Sequence, residues 1–573
     1  MRLGTVLCAC FLVTTATSAQ NLSGRYSGVL SGKKPDGSGP EFKFFLILNS
    51  SKEKISCSAS LTSFSRDTIA CQNVSANDNE VRFSLPWGDG VVLDLKLAGE
   101  ELNGTIQAAP NVPPGPFNPV PFNKVLSKRV GDLTLGDQVP LLTWESADIR
   151  SPRILQVRKD IMDGQRDAVE SFWKSVERTG APLVEPIDEQ TQEQPKSTAF
   201  TQPSEKHGSD QSLLATFVWK GTPETKNVLV GWPRLALANP DEYFMSHVEG
   251  TDLWFKTLKL RRGTRIYYQL SPNDPLGERP QGNWPRTSQA DPLNPKRDPD
   301  DPKLPLDRVR SLLELPGALP QPWYAKRNDV RHYSVTEESI HSQHLKGERK
   351  VLIYTPPGYS PQNPPYTSVY LTDGEDADGL VFATWTFENL VADKKIPPVV
   401  VVRLVNPDRP TRGQDLACSD AFLDYVSEEL VPFVRKKYNT SPDPSKTMVG
   451  GDSLGGVTAA CMGLRHSQTF GMVLSQSGAY WFEPTHAEYA EPGWLARQFI
   501  QTKKLPLRFY LDAGTNEIDP RGQGADILLT SRNLRDVLRA KGYEVHYQEF
   551  EGDHDPINWR GTLADGLIAL LGK

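Results

Sequence analysis

Net charge, cysteine and long apolar runs are all scarce in this chain. With 64 basic against 70 acidic residues among 573, the formal charge is only −6, so there is no broad positive field to hold nucleic acid or an anionic membrane surface. No nucleic-acid partner is expected. The single long apolar stretch runs from Leu3 to Val13 behind Arg2 and is followed by Thr17, Ser18 and Ala19. It is too short for a membrane span, which needs about 20 apolar residues, and it reads as a secretory signal peptide over 1–19. The expectation is an exported protein, periplasmic or secreted, with no membrane span. Six cysteines are present. Cys57 and Cys71, 14 residues apart in a strand-rich region, are expected to pair in an oxidising compartment. Cys418 and Cys461 have no CxxC or CxxH company, so they read as buried thiols, with a second disulfide as the alternative. No metal site or cofactor is expected.

Proline and glycine, 47 and 44 residues, are plentiful and divide the chain. A length of 573 residues suits three or four domains at about 150 residues each. Short alternating segments separated by Gly, Asp, Asn and Ser turns predict a small antiparallel β-domain over 21–126. Pro110 to Pro121 reads as an extended linker within that region. Residues 127–205 are expected to be linker plus one amphipathic helix, with apolar positions Ile154, Val157, Ile161, Val169, Phe172 and Val176 at helical spacing. Residues 206–329 hold aromatic-rich alternating strands and a Pro-rich connection, the pattern of a β-sandwich. From 330 to 573, continuous apolar runs such as PVVVVRL and KTMVGGDS alternate with helical segments. This predicts a mainly parallel sheet with helices on both faces. The fold class is therefore multidomain, a C-terminal α/β-hydrolase preceded by a β-sandwich and a small β-domain.

The sharpest local signal is Gly451-Asp452-Ser453-Leu454-Gly455, placed between a strand and a small-residue helix. A serine flanked by glycines at two residues on each side of a strand-to-helix turn is a nucleophile elbow. The N–H of Leu454, at the helix start, can hold an oxyanion. Four histidines follow the serine; His554, in the loop EGDHDP after the last strand, stands where the base of this fold belongs. The acid should follow the preceding strand, where Glu517 is preferred and Asp519 is the alternative, with an unassisted Ser-His pair left open. Asp555 is read as fixing the loop of His554. The backbone N–H of Glu375, after another central strand, is the expected second oxyanion donor. Arg412, Trp481 and Trp559, with Arg560, are placed on strand-exit loops, where Arg could pair with an anionic substrate and Trp could stack on aromatic rings. Loop anchoring is the equal alternative for Trp559 and Arg560.

The segments GGDSLGG, LSQSGAYWF and GDHDPINWRGTLADGLIAL resemble the enterochelin (enterobactin) esterases. The likeness extends to FWKSVERTGAPLVEP, GTDLWFKTL and ADPLNP, and so covers about Asp160 to Lys573. It implies a β-sandwich joined to an α/β-hydrolase that cleaves the ester bonds of a catecholate trilactone siderophore of the enterobactin or salmochelin type. Iron would be carried by the substrate. The alternatives are a secreted feruloyl or acetyl-xylan esterase, or a siderophore- or glycan-binding protein with a vestigial hydrolase domain. The first β-domain has no counterpart in that resemblance and could contact a glycan or the cell envelope.

Overall fold

The computed structural model describes residues 22, 24–31, 41–50, 55–60, 67–77, 79–85, 91–108, 124–131, 151–187, 212–231, 243–274, 279–280, 287–374, 383–481, 493–518 and 526–572. Residues 1–19, expected to be a signal peptide, and Glu375 and Asp519 lie outside them. The chain forms two compact units, 1–139 with 275–285 and 140–274 with 286–573.

The first unit is an antiparallel barrel. Strands Gly24–Ser31, Glu41–Ser50, Ile55–Ser60, the run 67–76, Glu80–Leu85, Val91–Ala98, Glu101–Ala108 and Lys124–Gly131 pair in chain order, and the last pairs back with the first. The run 67–76 is interrupted at Cys71. Its first half pairs with Ile55–Ser60 on one side and, in parallel, with Arg279–Pro280 on the other, and its second half pairs with Glu80–Leu85. Glu80–Leu85 alternates exposed and buried residues, as a strand with one wet face must, and Tyr26, Phe44, Phe83, Leu93 and Val125 fill the interior. Cys57 and Cys71 form a disulfide. The expected boundary at 126 is corrected here, because it falls inside Lys124–Gly131, which the barrel needs to close. Pro110–Pro121 therefore joins two strands of one sheet and is not a link between domains.

In the second unit the single helix expected over Ile154–Arg178 is two helices, Pro152–Met162 and Ala168–Thr179. Gly164, at φ +80°, breaks the run because that backbone region suits glycine. Both helices bury Ile154, Val157, Phe172, Trp173 and Val176 against Val218 and Leu253 of the sandwich, so they belong to it. The sandwich has two four-stranded sheets. One contains Leu183–Pro186, Ser212–Lys220, Leu253–Arg261 and the pair Ser246–His247; the other contains Val228–Gly231, Arg265–Pro272, Arg310–Glu314 and Arg297–Asp298.

The hydrolase region has eight strands, β1 Ser334–Ser342, β2 Gly347–Thr355, β3 Thr367–Leu371, β4 Val399–Leu404, β5 Thr447–Asp452, β6 Met472–Gln476, β7 Arg508–Gly514 and β8 Glu544–Phe550. Their order is β1-β2-β4-β3-β5-β6-β7-β8, antiparallel at β1, β2 and β4 and parallel from there on. All six residues of β4 are buried. Val400 and Val402 enter the core under helices Leu454–Arg465 and Ile527–Ala540, while Val399 and Val401 enter the core under Ala383–Ala392 and Pro556–Leu571. A sheet covered on both faces has only its strand ends free, which is where this fold places chemistry. No helix among the described residues is long and apolar enough to cross a membrane.

Candidate active site

The turn from β5 into helix Leu454–Arg465 needs glycine on both sides. A Cβ on Gly451 would stand 2.2 Å from Thr372 Oγ1 and one on Gly455 would stand 2.1 Å from it, well inside contact. Ser453 itself lies at φ +56° and ψ −118°, a strained conformation for a residue with a Cβ. Three hydrogen bonds hold it there. Ser453 N donates to Gln476 O at 2.9 Å, Ala479 N donates to Ser453 O at 3.0 Å, and Val457 N donates to Ser453 O at 3.2 Å. Leu454 is the first residue of the helix, where a backbone N–H has no intrahelical acceptor.

His554 Nε2 is 2.8 Å from Ser453 Oγ, and His554 Nδ1 is 2.9 Å from Glu517 Oε1. A carboxylate oxygen accepts, so Nδ1 carries the proton and Nε2 is left to accept from the serine hydroxyl. The Glu517 side chain is fully buried, while His554 keeps 15% of its side chain exposed, enough to meet a substrate. Gly514 N donates to Glu517 Oε2 at 3.0 Å. Farther along, Ile527 N and Leu528 N both donate to Glu517 O at 3.1 Å. Gly514 is required, since a Cβ there would come within 2.4 Å of Gly552 O. Asp555 caps the helix Pro556–Leu571 by accepting from Ile557 N, which fixes the end of the His554 loop.

Trp559 is placed differently from its sequence reading, and this is a correction. It lies in the helix Pro556–Leu571, is 5% exposed and offers no face for a substrate ring. Its indole N–H donates to Ser477 Oγ at 2.8 Å, and its ring stands perpendicular to the His554 imidazole with centroids 4.7 Å apart. Ser477 N in turn donates to Asp512 Oδ1 at 2.8 Å. Burial pushes the Asp512 carboxyl up to about 8. The polar chain Asp512–Ser477–Trp559 behind His554 carries no sequence signature, since its members come from three separate elements.

Arg412 sits in the helix Arg409–Asp415. Its guanidinium grips the Asp373 carboxylate at two points, with Nη2 to Oδ2 at 2.9 Å. Asn406 Nδ2 also donates to Asp373 Oδ1 at 2.9 Å, and Arg403 Nη2 donates to the Asp373 carbonyl at 3.0 Å. Asp373, at φ +59°, is thus clamped where the chain leaves β3. Asp452 is half-buried as a residue, but its carboxyl is withdrawn from solvent near Asp373, and both effects push it up to about 7. Trp481, half-buried after β6, packs against Ala513, Ile527 and Leu528. Cys418 and Cys461 are disulfide-bonded, which corrects the reading of two thiols. The bond ties the helix behind Ser453 to the segment after Arg412. No group of His, Cys, Asp and Glu that could hold a metal ion occurs among the described residues.

Comparison with known proteins places this geometry. The sequence model of a family described as putative esterase matches residues 342–570, and that of the enterochelin esterase N-terminal domain matches 214–324. An iron(III) enterobactin esterase of Dickeya dadantii is 27% identical over 70% of this chain and 93% of its own length. An iron(III) salmochelin esterase of Escherichia coli is 25% identical over 73% of this chain and 98% of its own. The enterobactin esterase of Shigella flexneri, solved in the presence of enterobactin, is 27% identical, with a TM-score of 0.50 over 64% of this chain and 94% of that one. The sandwich and the hydrolase are matched in the same order in which they occur here, and over both of them the chain is similar to the enterochelin esterases.

Proposed function

We propose that this protein is a serine esterase that hydrolyses the ester bonds of a catecholate trilactone siderophore, as the ferric complex or as its linear products. The observation that carries the reading is the hydrogen-bonded line Ser453–His554–Glu517 at a nucleophile elbow; the enterobactin and salmochelin esterases among its relatives supply the substrate class. His554 Nε2 takes the Ser453 proton as Oγ attacks the ester carbonyl, and Glu517 holds the imidazolium that forms. The tetrahedral oxyanion is bound by the N–H of Leu454 and, in this proposal, by that of Glu375. His554 then gives that proton to the departing alkoxide oxygen, takes one from the water that attacks the acyl-enzyme, and returns it to Ser453 Oγ as the acid is released. The Arg412–Asp373 pair and Trp481 form the charged and apolar borders of the substrate site. Two disulfides, one in each compact unit, suit a chain that folds in an oxidising compartment and support export and action outside the cytoplasm.

The test is product analysis. Incubation with ferric enterobactin should give linear trimer, dimer and monomer of the catecholoyl-serine unit, with kcat/KM well above that for a feruloylated oligosaccharide. A preference for the feruloylated sugar would replace the siderophore with a plant cell-wall ester.

A further inference from the structure

A cavity of ≈ 560 Å³ opens where the sandwich meets the hydrolase, between the strand Arg310–Glu314, the chain 315–324 and the first turns of helix Pro556–Leu571. Its volume is that of a small-ligand site. Its charged lining is Arg265, Lys296 and Arg560 against a single carboxylate, Glu314. Two of those cations are withdrawn from bulk water, with side-chain exposures of 7% for Arg265 and 6% for Arg560. Arg265 is satisfied in part, since Nε and Nη2 donate to Glu314 Oε1 at 2.9 and 2.6 Å and Nη2 also to Leu319 O at 2.6 Å. Lys296 Nζ donates to Glu314 Oε2 at 3.1 Å.

Arg560 is different. Its guanidinium lies over the Tyr324 ring, 3.8 Å from the centroid, and Nε donates to Gln321 Oε1 at 2.9 Å. The nearest carboxylate to Nη1 is that of Asp298, at 3.8 Å, beyond hydrogen-bond distance. Neither terminal nitrogen makes a hydrogen bond to a described residue. A guanidinium carries four N–H donors on those two atoms, in a fork that matches two oxygens of one anion. Tyr324 and Gln321 hold the fork rigid, and Arg265 and Lys296 add positive charge on the same lining.

We propose that this cavity is an anion site, in which Arg560 clasps a carboxylate or phosphate group of a small molecule. Nothing in the proposal depends on which ester the enzyme hydrolyses. The full-length chain is titrated calorimetrically with inorganic phosphate and, separately, with N-(2,3-dihydroxybenzoyl)serine, the carboxylate that ester hydrolysis would release. The wild type should bind at one equivalent. Arg560→Gln should weaken binding about tenfold or more, as loss of a bidentate charged contact does. Lys296→Gln, at an exposed position, should weaken it about threefold without altering turnover of a neutral p-nitrophenyl ester. Tighter binding of phosphate makes free phosphate the occupant; tighter binding of the acylserine makes it a product site. No binding of either probe, or unchanged affinity in Lys296→Gln or in an Arg560→Gln chain with native circular dichroism, overturns the proposal.

Discussion

The barrel and the hydrolase sheet each weave about eight strands into one sheet, yet they solve the burial problem in opposite ways. Neighbouring strands of the barrel pair antiparallel in chain order, and Glu80–Leu85 keeps one dry and one wet face. In the hydrolase the parallel strands need helical crossovers, both faces are covered, and β4 is buried from end to end. The crossovers force the chain out at the carboxyl ends of β5, β7 and β8, and Ser453, Glu517 and His554 all lie in those exits. Among the described residues the catalytic line forms where the strands run parallel.

The strongest way to break this contrast is Ser453→Ala. Turnover should fall by about 10⁴-fold or more with no change in the melting of either region, and near-normal turnover would remove the hydrolase exits from the chemistry. Glu517→Gln should lower kcat by about 10³-fold, because the amide cannot hold the required tautomer and imidazolium, whereas Asp519→Asn should leave kcat nearly intact; the reverse order transfers the role to Asp519. Trp559→Phe keeps a ring beside His554 but deletes the bond to Ser477. Its kcat should drop about tenfold with KM unchanged, and a change in KM alone would return Trp559 to substrate binding. Stability separates the regions further. Replacing Cys57 and Cys71 by serine opens a loop of 14 residues and should cost the barrel about 3 kcal/mol, read as a lower first melting transition with esterase activity retained at 25 °C. A last test concerns Asp512. Its carboxyl rises from about 3.9 in the unfolded chain to about 8 in the fold, so between those values the folded state holds a proton the unfolded chain has released. Stability then falls as pH rises from about 4 to about 8. Asp512→Asn should flatten that decline in melting temperature, and an unchanged slope would show that another group sets it.

The sequence spoke clearly where one residue type answers a local steric demand. Gly451 and Gly455 face Thr372 at distances no Cβ tolerates, so the elbow pattern carries its own geometry. The loop of His554 follows the last strand, and Glu517 follows β7, positions that periodicity alone supplies. What stayed hidden depends on partners distant in sequence. Asp555-Pro556 is a local signal that a helix starts there, but nothing local says that this helix turns the Trp559 indole toward Ser477. Arg412 looked available because Asp373, 39 residues away, gives no local sign of needing a cation. Cys418 and Cys461 are 43 residues apart, and only the packing of the helix after Ser453 brings them within bonding distance.

The two bonds from Ile527 and Leu528 to the Glu517 carbonyl bear on how such an enzyme can change over generations. They fasten the chain on both sides of residues 519–525, so the acid is held from flanks that do not include that stretch. Lengthening or rewriting it should leave the Glu517–His554 bond in place. Insertion and deletion there can then be tolerated without first losing the ability to hydrolyse.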